Sequence, residues 1–315
     1  MLIKMNNKST IFHVGYHKTG SSFLQSEVFR KFNKLFYVVP RKDIQELFIY
    51  QNDLYYRSEN TEIELEKHFI KSREGDLSTI FSEERLSGLP HEGGSDSVQI
   101  ARRIKLLNPD SKIIIVIRKQ EDIIKSSYMQ YIVGYGSCSL KEYLNPTTIK
   151  KSNLFSYYFF EYHRLIEIYN NLFGSNNVLV LPYELLKKNK KEFIKEILEF
   201  INIEIEHEKI IAEIDFSPKN TSSSALYILI KRFFNPFILK GHKNIGNTLH
   251  NPLIKYIFKV ISFILRKRKI SFIDTKISEN QKIYINTFCK NKYIKSNRIT
   301  NGLIKYDLTE YGYQL

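Results

Sequence analysis

A short glycine turn with a lysine inside it follows the first strongly apolar segment of the chain. Ile11, Phe12 and Val14 lead into the run 15–22, Gly-Tyr-His-Lys-Thr-Gly-Ser-Ser, and a helix-like stretch comes next. A strand, a glycine turn and a helix start together direct unpaired backbone N–H groups, the positive end of a helix and one ammonium at a single point. The pattern therefore predicts a strand-turn-helix unit that binds a phosphate.

The position of the lysine decides which kind of phosphate turn this is. In the nucleoside-triphosphate P-loop the order is G-x-x-x-x-G-K-[ST], with the lysine after the second glycine. Here Lys18 precedes Gly20, and two serines follow it. The motif of the common ATPases is thus excluded, while an ordinary strand-turn-helix with a surface lysine stays open as the plainer interpretation.

Short β-rich apolar runs alternate with stretches long enough for helical crossovers. The predicted strands cover 11–16, 35–39, 78–82, 112–117 and 178–181. A run that is apolar on both faces, such as 113–117, is typical of a strand buried in a parallel sheet between two helical layers. From about residue 216 the periodicity becomes helical, and no linker marks a boundary. We therefore predict one α/β domain over 1–315 with a helical C-terminal part.

Ligands of parallel α/β sheets bind at the carboxyl ends of the strands. Four of the five runs are followed there by chemically useful side chains, namely Lys18, the pair Glu83 and Glu84, Arg118, and the pair Tyr183 and Glu184. Ser126 lies eight residues beyond Arg118 in a helix-like stretch. A guanidinium and a hydroxyl two helical turns apart can both face one phosphate, although each residue alone is also common in ordinary ion pairs and on helix surfaces.

Two of these motifs in this order resemble the donor site of the sulfotransferases, which bind 3′-phosphoadenosine 5′-phosphosulfate (PAPS). The segment Lys18-Thr19-Gly20-Ser21-Ser22 is similar to their 5′-phosphosulfate loop, and the strand followed by Arg118 and Ser126 is similar to their 3′-phosphate motif. The resemblance implies a P-loop-like three-layer fold with a central parallel sheet. It also implies that His17 and the segment 18–22 contact the 5′ end of the donor, while Arg118 and Ser126 contact the 3′-phosphate.

Weaker matches extend this resemblance along the chain. The segment 178–186 is similar to the late strand and Tyr-Glu step of the family, which implies that Tyr183 helps to hold the adenine. The segment 217–222 resembles the Asn-x-Ser turn of bacterial members, and 296–313 resembles their Ser-Asn-Arg to Tyr-Gly-Tyr ending. The chain departs from the eukaryotic cytosolic branch, because it lacks a good match to the Arg-Lys-Gly segment and a clear histidine base after the third strand.

Sulfonate transfer needs a base for the acceptor hydroxyl and positive charge on the transferring group. Lys18 supplies that charge in our interpretation. Ser82-Glu83-Glu84 is similar to the Ser-Glu step of bacterial carbohydrate sulfotransferases, which implies that Glu83 is the base. Partial burial raises the pKa of a carboxyl group toward a useful value. Glu84 and His91 stay open as alternative bases, and Glu83 also fits a helix N-terminal position without a catalytic role.

Charge and composition limit the partners. The formal charge of +15 favours an anionic partner, but no nucleic-acid fold signature is present, so we predict a nucleotide donor and no nucleic acid. Two distant cysteines and scattered histidines predict neither a disulfide framework nor a metal site.

No signal peptide or apolar span of about eighteen residues is found, which predicts a cytoplasmic protein.

One amphipathic segment remains over 252–269. Its apolar residues share one helical face, and it ends in four consecutive basic residues at 266–269. Packing of that face on the domain is the favoured interpretation, and peripheral contact with the inner membrane surface is the alternative.

Together these observations predict a PAPS-dependent sulfotransferase that needs no metal and acts on a hydroxyl group, and the family resemblance implies a glycan or glycolipid acceptor. Two other classes stay open. A nucleotide or small-molecule kinase fits the phosphate turn but has the wrong lysine position. A non-catalytic basic protein that binds membranes or glycans on the same scaffold fits the charge and the 252–269 segment.

Overall fold

A computed structural model of the chain describes residues 9–134, 136–146, 155–203, 207–217, 224–238, 253, 256–261 and 271–315. Five parallel strands form its central sheet in the order β2-β3-β1-β4-β5. The strands are β1 (Thr10–His13), β2 (Phe36–Val38), β3 (Ser78–Ser82), β4 (Lys112–Ile117) and β5 (Val178–Pro182). Each lies within or close to one of the five predicted apolar runs.

Helices connect the strands and make up the described residues beyond the sheet. In chain order they are α1 (Ser21–Phe23), α2 (Arg41–Ile44), α3 (Ser58–Glu74), α4 (Ser97–Leu107), α5 (Gln120–Val133), α6 (Leu140–Leu144), α7 (Tyr162–Phe173), α8 (Tyr183–Lys188), α9 (Lys190–Phe200), α10 (His207–Glu213), α11 (Ala225–Ile238), α12 (Ser271–Cys289) and α13 (Ile294–Leu303). Single helical turns of the 3-10 type cover Glu84–Ser87, Pro90–Glu92, Tyr157–Phe160, Ser175–Asn177 and Leu308–Tyr311.

Two of the helices widen by one residue soon after they begin. The helix that starts as α1 continues as a π-helical turn over Leu24–Phe29, where the N–H of Arg30 donates to the carbonyl of Gln25 at 3.2 Å. The helix that starts as α2 continues in the same way over Gln45–Ile49. Wide turns of this kind are rare and often lie near functional sites. Both here begin at the same edge of the sheet.

Alternate residues of each strand point into two separate cores, which makes the fold three-layered. Along β4, Ile113, Ile115 and Ile117 enter one core, while Ile114 and Val116 enter the other. The first core lies under α3, α4, α5 and α7, and the second under α1, α8, α9 and α10. A side-chain period of two explains why both sets must be apolar in a sheet covered on both faces.

The predicted fold class is confirmed: the chain forms an α/β domain with a central parallel sheet between helical layers and a helical C-terminal part. None of the described helices is long and apolar enough to cross a membrane. The segment 256–261 is helical, and Phe258 packs 6.3 Å from Tyr227 and 5.4 Å from Phe234, measured between ring centroids. Most of the predicted amphipathic segment lies outside the described residues, as does most of the 217–222 turn.

Candidate functional site

The turn after β1 is held by two residues in the left-handed region of backbone conformation. Lys18 has a φ of 65° and Gly20 a φ of 90°. Thr19 lies between them, fully buried, and its hydroxyl donates to the carbonyl of Tyr16. The N–H groups of Phe23 and Leu24 both donate to the carbonyl of Gly20. The first N–H groups of the helix that begins at Ser21 have no acceptor within the helix itself, as at any helix start.

The side chains of the turn divide into buried and exposed groups. Ser21 is buried, and its hydroxyl oxygen has no hydrogen-bond partner among the described residues. Lys18 and Ser22 are exposed. A buried hydroxyl without a partner is costly, and the Ser21 hydroxyl is available to donate to a ligand.

Gly20 is a glycine because two side chains lie directly against it. A Cβ atom added at Gly20 would lie 2.8 Å from Cδ2 of Leu186 and 3.2 Å from Cε2 of Tyr183. Both residues belong to α8, which follows β5. The turn after β1 and the start of α8 therefore share one surface, and Tyr183 forms part of the wall beside the turn.

Arg118 connects the turn to the strand next to it. It follows β4, and its Nη1 donates to the carbonyl of Lys18 at 2.8 Å. Its guanidinium carbon lies 5.0 Å from the centre of the Tyr183 ring, within the usual range of a cation–π contact. Its Nε is buried and has no hydrogen-bond partner among the described residues. Ser126 is half-buried on α5 and takes no part in these contacts.

Glu83 lies at the carboxyl end of β3 and is fully buried. Its carboxylate forms an ion pair with the Nε of Arg41 and accepts hydrogen bonds from Nη2 of Arg41 at 2.9 Å and from the N–H of Arg85 at 3.2 Å. The amide of Gln45 lies 3.5 Å away. Burial raises the pKa of Glu83 and the neighbouring charge of Glu84 raises it further, while Arg41 opposes both effects without cancelling them.

The two alternative bases have other contacts. Glu84 is less buried than Glu83 and lies 3.6 Å from the Nη2 of Arg41. His91 lies in a cluster of aromatic rings, where its Nδ1 is 3.0 Å from the hydroxyl of Tyr143 and its ring centroid is 5.6 Å from that of Tyr131. Glu83 is therefore the most buried of the three and the one most directly bound to a guanidinium.

One histidine within the turn and one on the strand before it are held uncharged at neutral pH. His17 is buried, and its pKa is lowered to about 3 by burial and then by the charges of Arg85, Arg41 and Lys18. Its Nε2 has no hydrogen-bond partner among the described residues. His13 is fully buried in β1, contacts the hydroxyl of Ser82 at 2.8 Å through Nδ1, and has a pKa lowered to about 4, chiefly by burial.

The carboxyl edge of the sheet thus presents one functional group per strand. In order across the edge these are Arg41 after β2, Glu83 after β3, the turn 15–22 after β1, Arg118 after β4 and Tyr183 after β5. Arg41 was not among the site residues predicted from the sequence. The signal was present, because Arg41 follows a predicted strand by two residues, but no motif drew attention to it.

Other predicted features have structural roles in the described residues. Glu184 accepts hydrogen bonds from the N–H of Lys119 at 3.2 Å and from the hydroxyl of Tyr313 at 2.9 Å, so it braces the segment that carries Arg118. Asn297 is buried and exchanges hydrogen bonds with Gln120, the first residue of α5. No group of three His, Cys, Asp or Glu side chains within the described part of the chain is arranged to hold a metal ion.

Comparison with models of protein families assigns the chain to one family. A family model described as a sulfotransferase domain matches residues 8–232, which is more than half of the chain. No protein of curated function gave a significant match.

Three solved structures are similar to the chain. A sulfotransferase from Alicyclobacillus acidocaldarius is 19% identical, with 73% of this chain and 93% of that chain covered and a TM-score of 0.49. A mouse sulfotransferase complexed with PAP is 16% identical, with 87% and 89% covered and a TM-score of 0.41. A sulfotransferase domain from the curacin biosynthetic pathway is 13% identical, with 82% and 99% covered and a TM-score of 0.39.

Proposed function

The chain belongs to the sulfotransferase family, and from this premise we propose that it moves a sulfonate group from PAPS to a hydroxyl group of an acceptor. PAPS is the donor of the family in general. When bound, it supplies the sulfonate and leaves as 3′-phosphoadenosine 5′-phosphate (PAP). The proposal assigns the donor to the turn after β1 and to the ends of β4 and β5.

The residues of the turn fit a bound 5′-phosphate on physical grounds. The hydroxyl of Ser21 is buried and has no partner within the described residues, and Gly20 leaves room where a side chain would collide with Leu186 and Tyr183. The exposed ammonium of Lys18 adds positive charge beside the helix start. In our proposal Lys18 stabilises charge on the leaving phosphate, while Thr19 shapes the turn and Ser21 and Ser22 donate to the phosphate with the backbone N–H groups. We also assign the uncharged His17 to the 5′ end of the donor.

The convergence of Arg118 and Tyr183 on this turn is the observation that carries the proposal. Arg118 donates to the carbonyl of Lys18, and its buried Nε has no partner among the residues that the structure describes, so it can bind a further anion. The Tyr183 ring lies against both Gly20 and Arg118. We assign the 3′-phosphate to Arg118, with Ser126 as a further donor, and the adenine to Tyr183.

Glu83 is the base in this proposal. It lies on the other side of the turn from Arg118, on the strand next to β1, where an acceptor hydroxyl can approach the transferring group. A buried carboxylate with a raised pKa is suited to remove a proton near neutral pH. Arg41 holds the carboxylate in one orientation through two contacts.

Nucleotide binding measured by thermal denaturation tests the proposal. At about a hundred times its Kd, PAP stabilises the protein by roughly 2.7 kcal/mol. We expect PAP to raise the melting temperature at concentrations where AMP, ADP and ATP have little effect. Arg118→Ala should reduce the stabilisation by PAP and leave the small effect of AMP nearly unchanged. Arg164→Ala is the matched control, because it removes a half-exposed guanidinium of α7. Equal stabilisation by ATP and PAP would favour the kinase instead.

We propose a glycan or glycolipid as the acceptor. The support is the resemblance of Ser82-Glu83 to the corresponding step of bacterial carbohydrate sulfotransferases. Release of PAP from PAPS, measured with neutral sugars, acidic sugars and simple phenols as acceptors, tests the assignment. Turnover with phenols alone would contradict it.

We also propose a cytoplasmic location, with peripheral contact of the segment 252–269 to the inner membrane surface as the alternative to its packing on the domain. The support is that Leu253 and Tyr256 are about two-thirds exposed, at 64% and 66%, and that Ile257 and Val260 are partly exposed on the same stretch. Co-sedimentation with vesicles of phosphatidylcholine, with and without phosphatidylglycerol, tests this. Binding that needs the acidic lipid and weakens in salt supports it, and no binding to either vesicle contradicts it.

A further inference from the structure

Two cations from different elements point at one carboxylate beside the Tyr183 ring. Arg118 follows β4, Lys187 lies on α8, and Asp122 lies in the first turn of α5. The Nη2 of Arg118 is 4.0 Å from Oδ2 of Asp122, and the Nζ of Lys187 is 3.9 Å from the same oxygen. Both cations therefore surround a single anionic position.

The ring of Tyr183 lies close to both cations. The guanidinium carbon of Arg118 is 5.0 Å from its centre and the Nζ of Lys187 is 4.9 Å from it. Cation–π contacts at these distances are favourable, and they keep the two positive charges on the same ring. The pair is thus positioned by the fold and does not depend on Asp122 alone.

The distances to Asp122 are too long for strong bonds. Charge-assisted hydrogen bonds between nitrogen and a carboxylate or phosphate oxygen are about 2.7–2.9 Å long. At 4.0 and 3.9 Å, the single carboxylate oxygen gives neither cation a short charge-assisted bond. A phosphate monoester has three terminal oxygens and a charge of about −1.5 to −2 at neutral pH, so it can bind both cations at the shorter distance.

We infer that Lys187 is a second cationic ligand for the 3′-phosphate of the donor, acting with Arg118 at the position that the Asp122 carboxylate marks. This inference rests on the proposed function, because only a nucleotide with a 3′-phosphate uses the site. It also offers a replacement for the Arg-Lys-Gly segment of the eukaryotic branch, for which the sequence has no good match. Asp122 competes with the phosphate for the two cations.

The neighbouring lysine provides a matched control. Lys188 is adjacent in sequence, on the same helix and also exposed, but its Nζ lies 5.6 Å from the centre of the Tyr311 ring. A change at Lys188 removes the same charge from the same helix. Only Lys187 contacts the ring that Arg118 contacts.

Calorimetric titration with PAP and with AMP tests the inference. Lys187→Gln should raise the Kd of PAP by about tenfold, which is the effect of losing one charge-assisted hydrogen bond, and should leave the Kd of AMP unchanged. Lys188→Gln should change neither ligand by more than about twofold, since it removes only distant surface charge. Lys187→Arg should retain most of the affinity for PAP. Asp122→Asn should tighten PAP binding, because it removes the competing negative charge.

The outcomes separate this inference from the proposed function. If PAP binds the unaltered protein but Lys187→Gln behaves like Lys188→Gln, the inference is wrong and the proposed function stands. If Lys187→Gln weakens PAP and AMP equally, Lys187 does not recognise the 3′-phosphate. If PAP does not bind the unaltered protein, both fail. Melting temperatures of all four variants exclude loss of folding as the cause.

Discussion

The turn after β1 and the corner after β3 lie side by side at the same edge of the sheet, but their polar groups are paired to different extents. In the turn and the residues beside it, the Ser21 hydroxyl and the Arg118 Nε are buried with no partner in the part of the chain that the structure describes, and Lys18 is exposed to solvent. At the corner, both oxygens of Glu83 have partners from Arg41, and one also accepts from the backbone of Arg85.

This difference in pairing indicates that the turn after β1 depends on a ligand for its organisation, while the corner after β3 does not. A buried polar group without a partner costs about 1–3 kcal/mol, so the turn gains much from binding an anion. The corner is organised by the protein itself, because the guanidinium of Arg41 compensates the buried carboxylate. We therefore expect changes at the corner to affect the rate and changes in the turn to affect donor binding as well.

Glu83→Gln should produce the largest loss of activity. Removing a general base costs about a hundredfold to ten-thousandfold in rate, and the isosteric amide keeps the volume of the buried side chain. Steady-state kinetics should show a fall in kcat with little change in the Kd of PAP. Glu84→Gln is the matched control and should lower kcat only slightly. An essential Glu84 or His91 with a dispensable Glu83 would overturn the assignment.

Lys18→Ala should reduce turnover by about a hundredfold to a thousandfold, the effect of deleting one contact to developing charge in the transition state. The melting temperature should hardly change, because the side chain is exposed. Lys34→Ala, an exposed lysine before β2 at the opposite edge of the sheet, is the control. Full activity of a folded Lys18→Ala protein would show that the turn does not act in catalysis.

Gly20→Ala should destabilise the protein by about 1–3 kcal/mol, because an alanine is strained at a φ of 90° and its methyl group would collide with Leu186. The same change should also weaken the binding of PAP. Gly302→Ala in α13 is the opposite case, since nothing lies within 4 Å of its Cβ position, and it should be neutral or slightly stabilising. Denaturant unfolding measures both, and equal effects would refute the close approach at Gly20.

The smallest effect should be a shift in the pH profile. The base acts when deprotonated, and burial and the charge of Glu84 raise the pKa of Glu83, so the acid limb of kcat should lie above that of an ordinary glutamate. Arg41→Gln removes an opposing charge and should move the limb to higher pH, while Glu84→Gln should move it to lower pH. If both variants shift the acid limb of kcat in the same direction, the limb reports the titration of a group other than Glu83.

The fold was largely predictable because its signals are local. Each strand is an apolar run with its own boundaries, and Ile113–Ile117 shows the two-sided burial directly in the sequence. The turn was predictable for the same reason, since its glycine, lysine and serines are consecutive.

The partners of Glu83 were not predictable in this way. Arg41 and Gln45 lie about forty residues away and meet Glu83 only because β2 pairs with β3. The same holds for Lys187 and Asp122, which lie on different helices beside β4 and β5. Contacts that depend on how the elements pack leave no trace in the spacing of a motif, so such residues emerge only from the structure.

The hydrogen bond from Arg118 to the carbonyl of Lys18 has one more consequence. It links the segment assigned to the 3′-phosphate to the turn assigned to the 5′-phosphate, so fixing either one restrains the other. Ligand fragments that each carry one phosphate should then bind with positive cooperativity, because the first reduces the entropy that the second must lose. By the same linkage, the intact nucleotide should bind more tightly than the affinities of its two halves suggest.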